Sequence, residues 1–240
     1  MSRRFLCAPE NISGSLVSFS GAEARHIALV LRLRPGARII ALAPGASHEC
    51  VIHEASPDKV VAHIERTVET IRDGLPEITL AQAIPKGRKM DDIVRMACEL
   101  GVARVIPLVT SRCSVKLDET GAKAKRERWQ AVADAAAKQS RAPWPAEVME
   151  PMDIASLTRI GAELKLALWE SASAPLKPLL SSTPRPASVI VVIGPEGGFA
   201  TVEANLLKDN GYHLVSLGER IMRTETAGVV AIGVFLYQYS

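Results

Sequence analysis

Short apolar or alternating runs at Leu16–Ser20, Ala37–Ala43, His48–His53 and Val60–Arg66 are separated by P-G and S-P-D turn signals and predict β-strands. Between the first two, Ala22–Leu33 brings Ile27, Val30 and Leu31 to helical spacing and predicts one helix. The segment Thr70–Glu77, TIRDGLPE, interrupts every period with adjacent Gly and Pro, and the pattern beyond it is different. Strand-like runs at Ile78–Ile84, Val105–Val109, Leu164–Leu168, Val189–Ile193 and His213–Leu217 alternate with helical segments, the signature of βα units and a parallel sheet covered on both faces. The expectation is an α/β chain in two parts: a smaller, mainly β domain over residues 1–72 and a larger α/β domain over 73–240.

Two of the helices carry more information. Met90–Leu100 puts Met90, Ile93, Val94, Ala97 and Leu100 on one face, places Asp91 and Asp92 near its positive amino end and meets Gly101 as a stop. Ala227–Tyr239 is apolar nearly all round, so it predicts a helix that needs cover on every side, a second subunit included. The Pro- and Ser-rich stretch Ser171–Ala187 predicts a loop or short helix.

Composition narrows the class. Of 240 residues, 48% are hydrophobic and 23% charged, which excludes disordered and fibrous chains, and an aromatic share of only 4% makes the core aliphatic. The longest stretch without a charge, Thr226–Ser240, is shorter than the roughly 18 residues of a membrane span. The apolar run after Arg3 and Arg4 is too short for a secretory signal, so a cytoplasmic location without membrane contact is expected. Cys7, Cys50, Cys98 and Cys113 lie far apart and predict free thiols. Alternation puts His48 and Cys50 on one strand face and His53 on the other, so no metal site is predicted. The net charge of +3 is concentrated in the first two-thirds of the chain, with clusters KGRK at 86–89 and KAKRER at 123–128. These are either a phosphate-facing surface or solvated helix faces. Trp129 and Trp144 are candidates for base stacking or for packing.

The sharpest local signal is VIVVIGPEGGFATVE at 189–203, an apolar strand running into Gly194-Pro195-Glu196-Gly197-Gly198, with Thr201 as a candidate cap for the next helix. At the carboxyl end of a parallel strand such a turn either lets backbone approach a ligand or is simply tight. Its spacing matches neither G-x-G-x-x-G nor G-x-x-x-x-G-K-[ST], which disfavours dinucleotide dehydrogenases and P-loop NTPases. A second junction, VSLGERIMRTETAG at 215–228, crowds Arg220, Arg223 and Glu225 between two apolar elements. Those charges either pair at the surface or meet a ligand.

IGPEGGF followed by LGERIMRTETA resembles the paired carboxy-terminal motifs of the RsmE family, SPOUT-superfamily methyltransferases acting on 16S ribosomal RNA. Arg4-Phe5, His26 with Val30-Leu31-Arg32, Lys86, Glu99-Leu100-Gly101, Arg128-Trp129 and Gln139-Ser140-Arg141 resemble family positions in family order. Two positions depart: Lys138 stands where many members are acidic, and Met222 where leucine is usual.

The resemblance implies an amino-terminal PUA-like β-barrel, a carboxy-terminal α/β domain threaded into a deep trefoil knot, a homodimer and S-adenosylmethionine as cofactor. It further implies methylation of the N3 atom of a uridine in 16S ribosomal RNA, within the small subunit. Carried over by position, Leu168 and Glu170, Gly194, Glu196, Gly197 and Gly198, and Leu217, Gly218, Ile221, Met222 and Arg223 form three cofactor loops. Arg223 is the candidate for stabilising a uracil anion, and Glu196 and Glu225 are the candidates for accepting the N3 proton. Arg4, Arg32 and Arg34, Lys86, Arg88 and Lys89, Arg126 and Arg128, and Gln139 and Arg141 are the expected RNA-positioning residues. A SPOUT ribose 2′-O-methyltransferase and a non-catalytic RNA-binding assembly factor are the competing readings.

Overall fold

Strand and helix patterns of different period lead to two compact units, residues 1–72 with 137–145 and residues 73–136 with 146–240. The computed structural model describes residues 3–69, 75–114, 118–142, 144–172 and 174–239. Thr70–Gly74 of the predicted boundary and Ser173 of the Ser171–Ala187 stretch lie outside the described residues.

In the first unit the strands are β1 (Arg3–Leu6), β2 (Ile12–Ser13), β3 (Leu16–Ser20), β4 (Arg38–Ala43), β5 (Ala46–Ala55) and β6 (Lys59–Glu69). They form a sheet in the order β1-β4-β5-β6-β3-β2, parallel between β1 and β4 and antiparallel elsewhere. Alternate residues face inward, so Phe5, Val17, Phe19, Ile39, Cys50, Ile52, Val60 and Ala62 share one core. The helix predicted over Ala22–Leu33 is shorter: α1 (Gly21–Arg25) passes into a π-turn over His26–Val30. There Leu31 N–H donates to the His26 carbonyl, Arg32 takes a left-handed φ of 51°, and Val30 is turned out to 70% exposure while Ile27 stays buried. His48 and Cys50 point inward and His53 outward. Burial pushes the Cys7 and Cys50 thiols up to about 11, so both stay protonated at neutral pH.

In the second unit β7 (Glu77–Ala83), α2 (Lys89–Glu99), β8 (Arg104–Val109), α3 (Glu119–Ser140, of which residues 137–140 count with the first unit), β9 (Glu147–Val148), β10 (Met152–Asp153) and α4 (Ile154–Leu157) come first. There follow β11 (Leu164–Leu168), α5 (Leu176–Ser182), β12 (Ser188–Ile193), α6 (Thr201–Asp209), β13 (His213–Val215) and α7 (Thr224–Tyr239). The sheet is parallel throughout, in the order β10-β8-β7-β12-β11-β13, with β9 also on β8. Both faces are covered, which is why its central strands are apolar without alternation. Val189, Val191 and Ile193 join the core under α2 and α7, whereas Ile190 and Val192 join the one with α4 and α6. The chain leaves β7 towards β8 on one side, and β12, β11 and β13 fill the other. A crevice is therefore expected at the carboxyl ends of β7 and β12.

The expected face of α2 is buried at Met90, Ile93, Val94 and Ala97, and Gly101 ends the helix with a φ of +82°. In α7, Thr224, Gly228, Ala231, Ile232, Phe235 and Tyr239 form one buried stripe, and the opposite side leaves Val234 36% and Tyr237 87% exposed. Trp129 is buried in the core, and Trp144 packs beside Gly45. Among the described residues no helix is long and apolar enough to cross a membrane.

Candidate functional site

Three parallel strands, β11, β12 and β13, end side by side, and their loops close around a cleft of about 580 Å³. The β11 loop supplies Leu168 and Glu170, and the β12 loop Gly194, Glu196, Gly197 and Gly198. The β13 loop contributes Leu217, Gly218, Ile221, Met222 and Arg223, and α7 adds Glu225. All the residues assigned from sequence to the cofactor or to the chemistry thus line one cavity. Its volume falls in the range of small-molecule sites.

Backbone geometry explains the glycines. Gly198 has a φ of +65°, and the carboxylate of Glu170 lies where its Cβ would be. A Cβ on Gly194 would stand 3.4 Å from the Phe199 ring. The turn closes with Gly198 N–H donating to the Pro195 carbonyl, 2.9 Å. Thr201 is the first residue of α6 rather than its cap. The capping position is Ala200, whose N–H donates to Glu203 at 2.9 Å, and the other Glu203 oxygen accepts the Ser111 N–H at 2.7 Å.

A charged cluster crosses the cleft. Lys89 Nζ lies 3.5 Å from Glu196 Oε1 and 3.3 Å from Glu225 Oε2, and the Lys86 backbone N–H donates to Glu196 Oε1 at 3.0 Å. Burial pushes the Glu196 carboxyl up, but its own backbone N–H, that of Lys86 and the Lys89 ammonium together hold it below the usual range. Glu225 is also held low, first by its own N–H at the start of α7, then, against burial, by Lys89 and Arg223. Both carboxylates are therefore ionised at neutral pH. Arg223 is exposed and lines the same cleft.

Beneath the cleft lies a buried polar layer. Thr224 Oγ1 donates to the Gly194 carbonyl at 2.7 Å, and Gln82 Nε2 donates to Thr224 Oγ1 at 2.8 Å and to the Ala83 carbonyl at 3.1 Å. On the outer side Arg112 donates to the Gly197 carbonyl at 2.7 Å. Neither Gln82 nor Arg112 was singled out from sequence, because each acts through a partner distant along the chain.

The expected RNA-positioning residues are dispersed. Lys89, grouped by sequence with Lys86 and Arg88, lines the cleft, while those two stay exposed in the loop before α2. Arg126 donates to the Val148 carbonyl at 3.0 Å, and Arg128 pairs with Asp91. Arg32 and Arg34 are exposed and Arg4 is partly buried in the first unit, which also holds the exposed Gln139 and Arg141. The unusual Lys138 forms an ion pair with Glu23 in the same unit, so its charge is compensated.

Comparison with known proteins fits this geometry. Residues 73–236 match the model of an RNA methyltransferase domain. The ribosomal RNA small subunit methyltransferase E of Bacillus subtilis is 33% identical over 232 residues, covering 92% of this chain and 90% of that one. The protein of the same name from Aquifex aeolicus is 30% identical, covering 95% and 96%. In structure, the ribosomal RNA small subunit methyltransferase E of Neisseria gonorrhoeae bound to S-adenosyl methionine aligns over 100% of this chain and 98% of that one. Its TM-score is 0.85 and its identity 28%.

Proposed function

The chain belongs to the ribosomal RNA small subunit methyltransferase E family, and from that premise we propose that it transfers a methyl group from S-adenosylmethionine to the N3 atom of a uridine in 16S ribosomal RNA. The observation that carries the reading is the convergence of three strand-end loops on one cleft lined by every residue assigned from sequence to the cofactor or to the chemistry. The cleft fits the cofactor: Leu168, Leu217, Ile221 and Met222 offer apolar surface for an adenine, and the glycine turn brings backbone close to whatever lies against it. S-adenosylmethionine, when bound, supplies an electrophilic sulfonium methyl.

The chain's own residues divide the remaining work. N3 of uracil carries a proton, so methylation requires that proton to leave and the anion to be stabilised. Arg223, which lines the cleft, is the cation for that anion. Glu196 and Glu225, with their depressed pKa values, are weak bases near neutrality. We therefore assign them to holding Lys89 and orienting Arg223, with the proton passing to water. The N3 edge is the pairing edge, so the target uridine must be splayed out of any helix.

Beyond the cleft, the reading takes the first unit as a PUA-like RNA-binding domain and the second as a SPOUT domain with a trefoil knot. It takes the exposed side of α7 as the contact of a homodimer, and the cytoplasmic small ribosomal subunit as the setting. Arg32, Arg34, Lys86, Arg88, Gln139 and Arg141 are available to phosphates. The test is methyl transfer from labelled S-adenosylmethionine to small subunits from cells lacking this protein, followed by nucleoside digestion and mass spectrometry. We expect 3-methyluridine. A 2′-O-methyl nucleoside would move the chain to the ribose branch, and no product despite cofactor binding would refute the substrate.

A further inference from the structure

Gln82 is a polar side chain with no solvent exposure at the carboxyl end of a central strand, where apolar residues are the rule. Both of its amide hydrogens are used, one on Thr224 Oγ1 and one on the Ala83 carbonyl, and Thr224 passes its own hydrogen to the Gly194 carbonyl. The remaining acceptor, Gln82 Oε1, is buried with no hydrogen-bond partner among the described residues. It faces Gly228 of α7, where a Cβ would come within 3.3 Å of it. A buried acceptor left unpaired is costly, so a side chain kept for stability alone would be better replaced by an apolar one. What the amide does instead is geometric. It links β7, the glycine loop after β12 and the first residue of α7, across 142 residues of sequence, and Thr224 stands between Arg223 and Glu225.

We infer that Gln82, acting through Thr224, is a positioning residue: it sets the first turn of α7 against the glycine loop and so aims Arg223 and Glu225 into the cleft. This inference rests on the reading of the cleft as the methyl-transfer site. Its consequence is a division of effects. Gln82→Met removes the link to Thr224 while leaving the Thr224 bond to Gly194, so the loop keeps its shape and only the aim of α7 relaxes. Thr224→Val removes both links, and Thr224→Ser keeps both.

The experiment compares the full-length wild type with these variants in thermal unfolding, S-adenosylmethionine calorimetry and steady-state methyl transfer to small subunits. Gln82→Met is expected to unfold within about 3 °C of wild type or above it, because the unpaired acceptor disappears together with the two amide bonds. Its cofactor affinity should stay within about threefold while kcat falls by about ten- to a hundredfold, the scale of a small misplacement of reacting groups. Thr224→Val should lose affinity as well as kcat, and Thr224→Ser should retain both. Wild-type kcat in Gln82→Met overturns the inference, and so does a kcat loss matched by a collapse of the unfolding temperature, which would make Gln82 a purely structural residue. Wild type that binds no S-adenosylmethionine would instead remove the reading of the cleft, and this inference with it.

Discussion

Lys89 reaches two carboxylates that enter the cleft from different parts of the chain, Glu196 from the glycine loop and Glu225 from α7. Its ammonium helps hold both acids ionised, so removing it must raise their pKa values and let them protonate at a higher pH. The acid limb of the pH–rate profile is therefore expected to shift upward in Lys89→Met and to stay in place in Lys89→Arg. An unchanged limb in Lys89→Met would show that neither carboxylate matters in its charged form. Gly198 offers a second test. In Gly198→Ala the left-handed φ costs about 1 kcal/mol, lowering the unfolding midpoint by about 2–4 °C, and the new methyl displaces Glu170. Calorimetry should show cofactor affinity weakened about tenfold. The turn at this glycine was legible in sequence, since a tight turn after an apolar strand announces itself locally. The roles of Lys89, Gln82 and Arg112 were not, because their partners lie 136, 142 and 85 residues away.

At the level of elements, period and punctuation were good guides where packing is simple. The continuous apolar runs became the central strands of a parallel sheet, and the amphipathic stripe of Met90–Leu100 became α2. They misled where the backbone departs from a regular repeat. The π-turn at His26–Val30 widens the spiral, so Val30 leaves the face that Ile27 keeps. The cap of α6 is a Glu203 carboxylate rather than the Thr201 hydroxyl. The uniform apolarity of α7 predicted cover on all sides, and among the described residues one stripe of it is buried. If a second copy covers the rest, Val234→Glu places a charge in that contact. Sedimentation equilibrium is then expected to show monomers for the variant and dimers for the wild type. A wild-type monomer would remove the proposed dimer.

For the molecule taken entire, the proposed RNA contacts would act through phosphates more than through any one side chain. Arg32→Gln with Arg34→Gln is expected to weaken RNA binding and to reduce its salt slope by about 1 for every phosphate that these side chains no longer neutralise, leaving cofactor affinity unchanged. Equal salt slopes in variant and wild type would take these arginines out of the RNA interface. The class of each half, the motif residues and the family were all legible from the amino-acid order alone, since these rest on local pattern and on residue sequence. Which distant groups share the cleft depended on the fold: Lys89 with Glu196 and Glu225, and Gln82 with Thr224 and Gly194. Strand order β10-β8-β7-β12-β11-β13 sets β7 beside β12 although the intervening chain forms four other strands, and adjacency across a sheet leaves no trace in local periodicity.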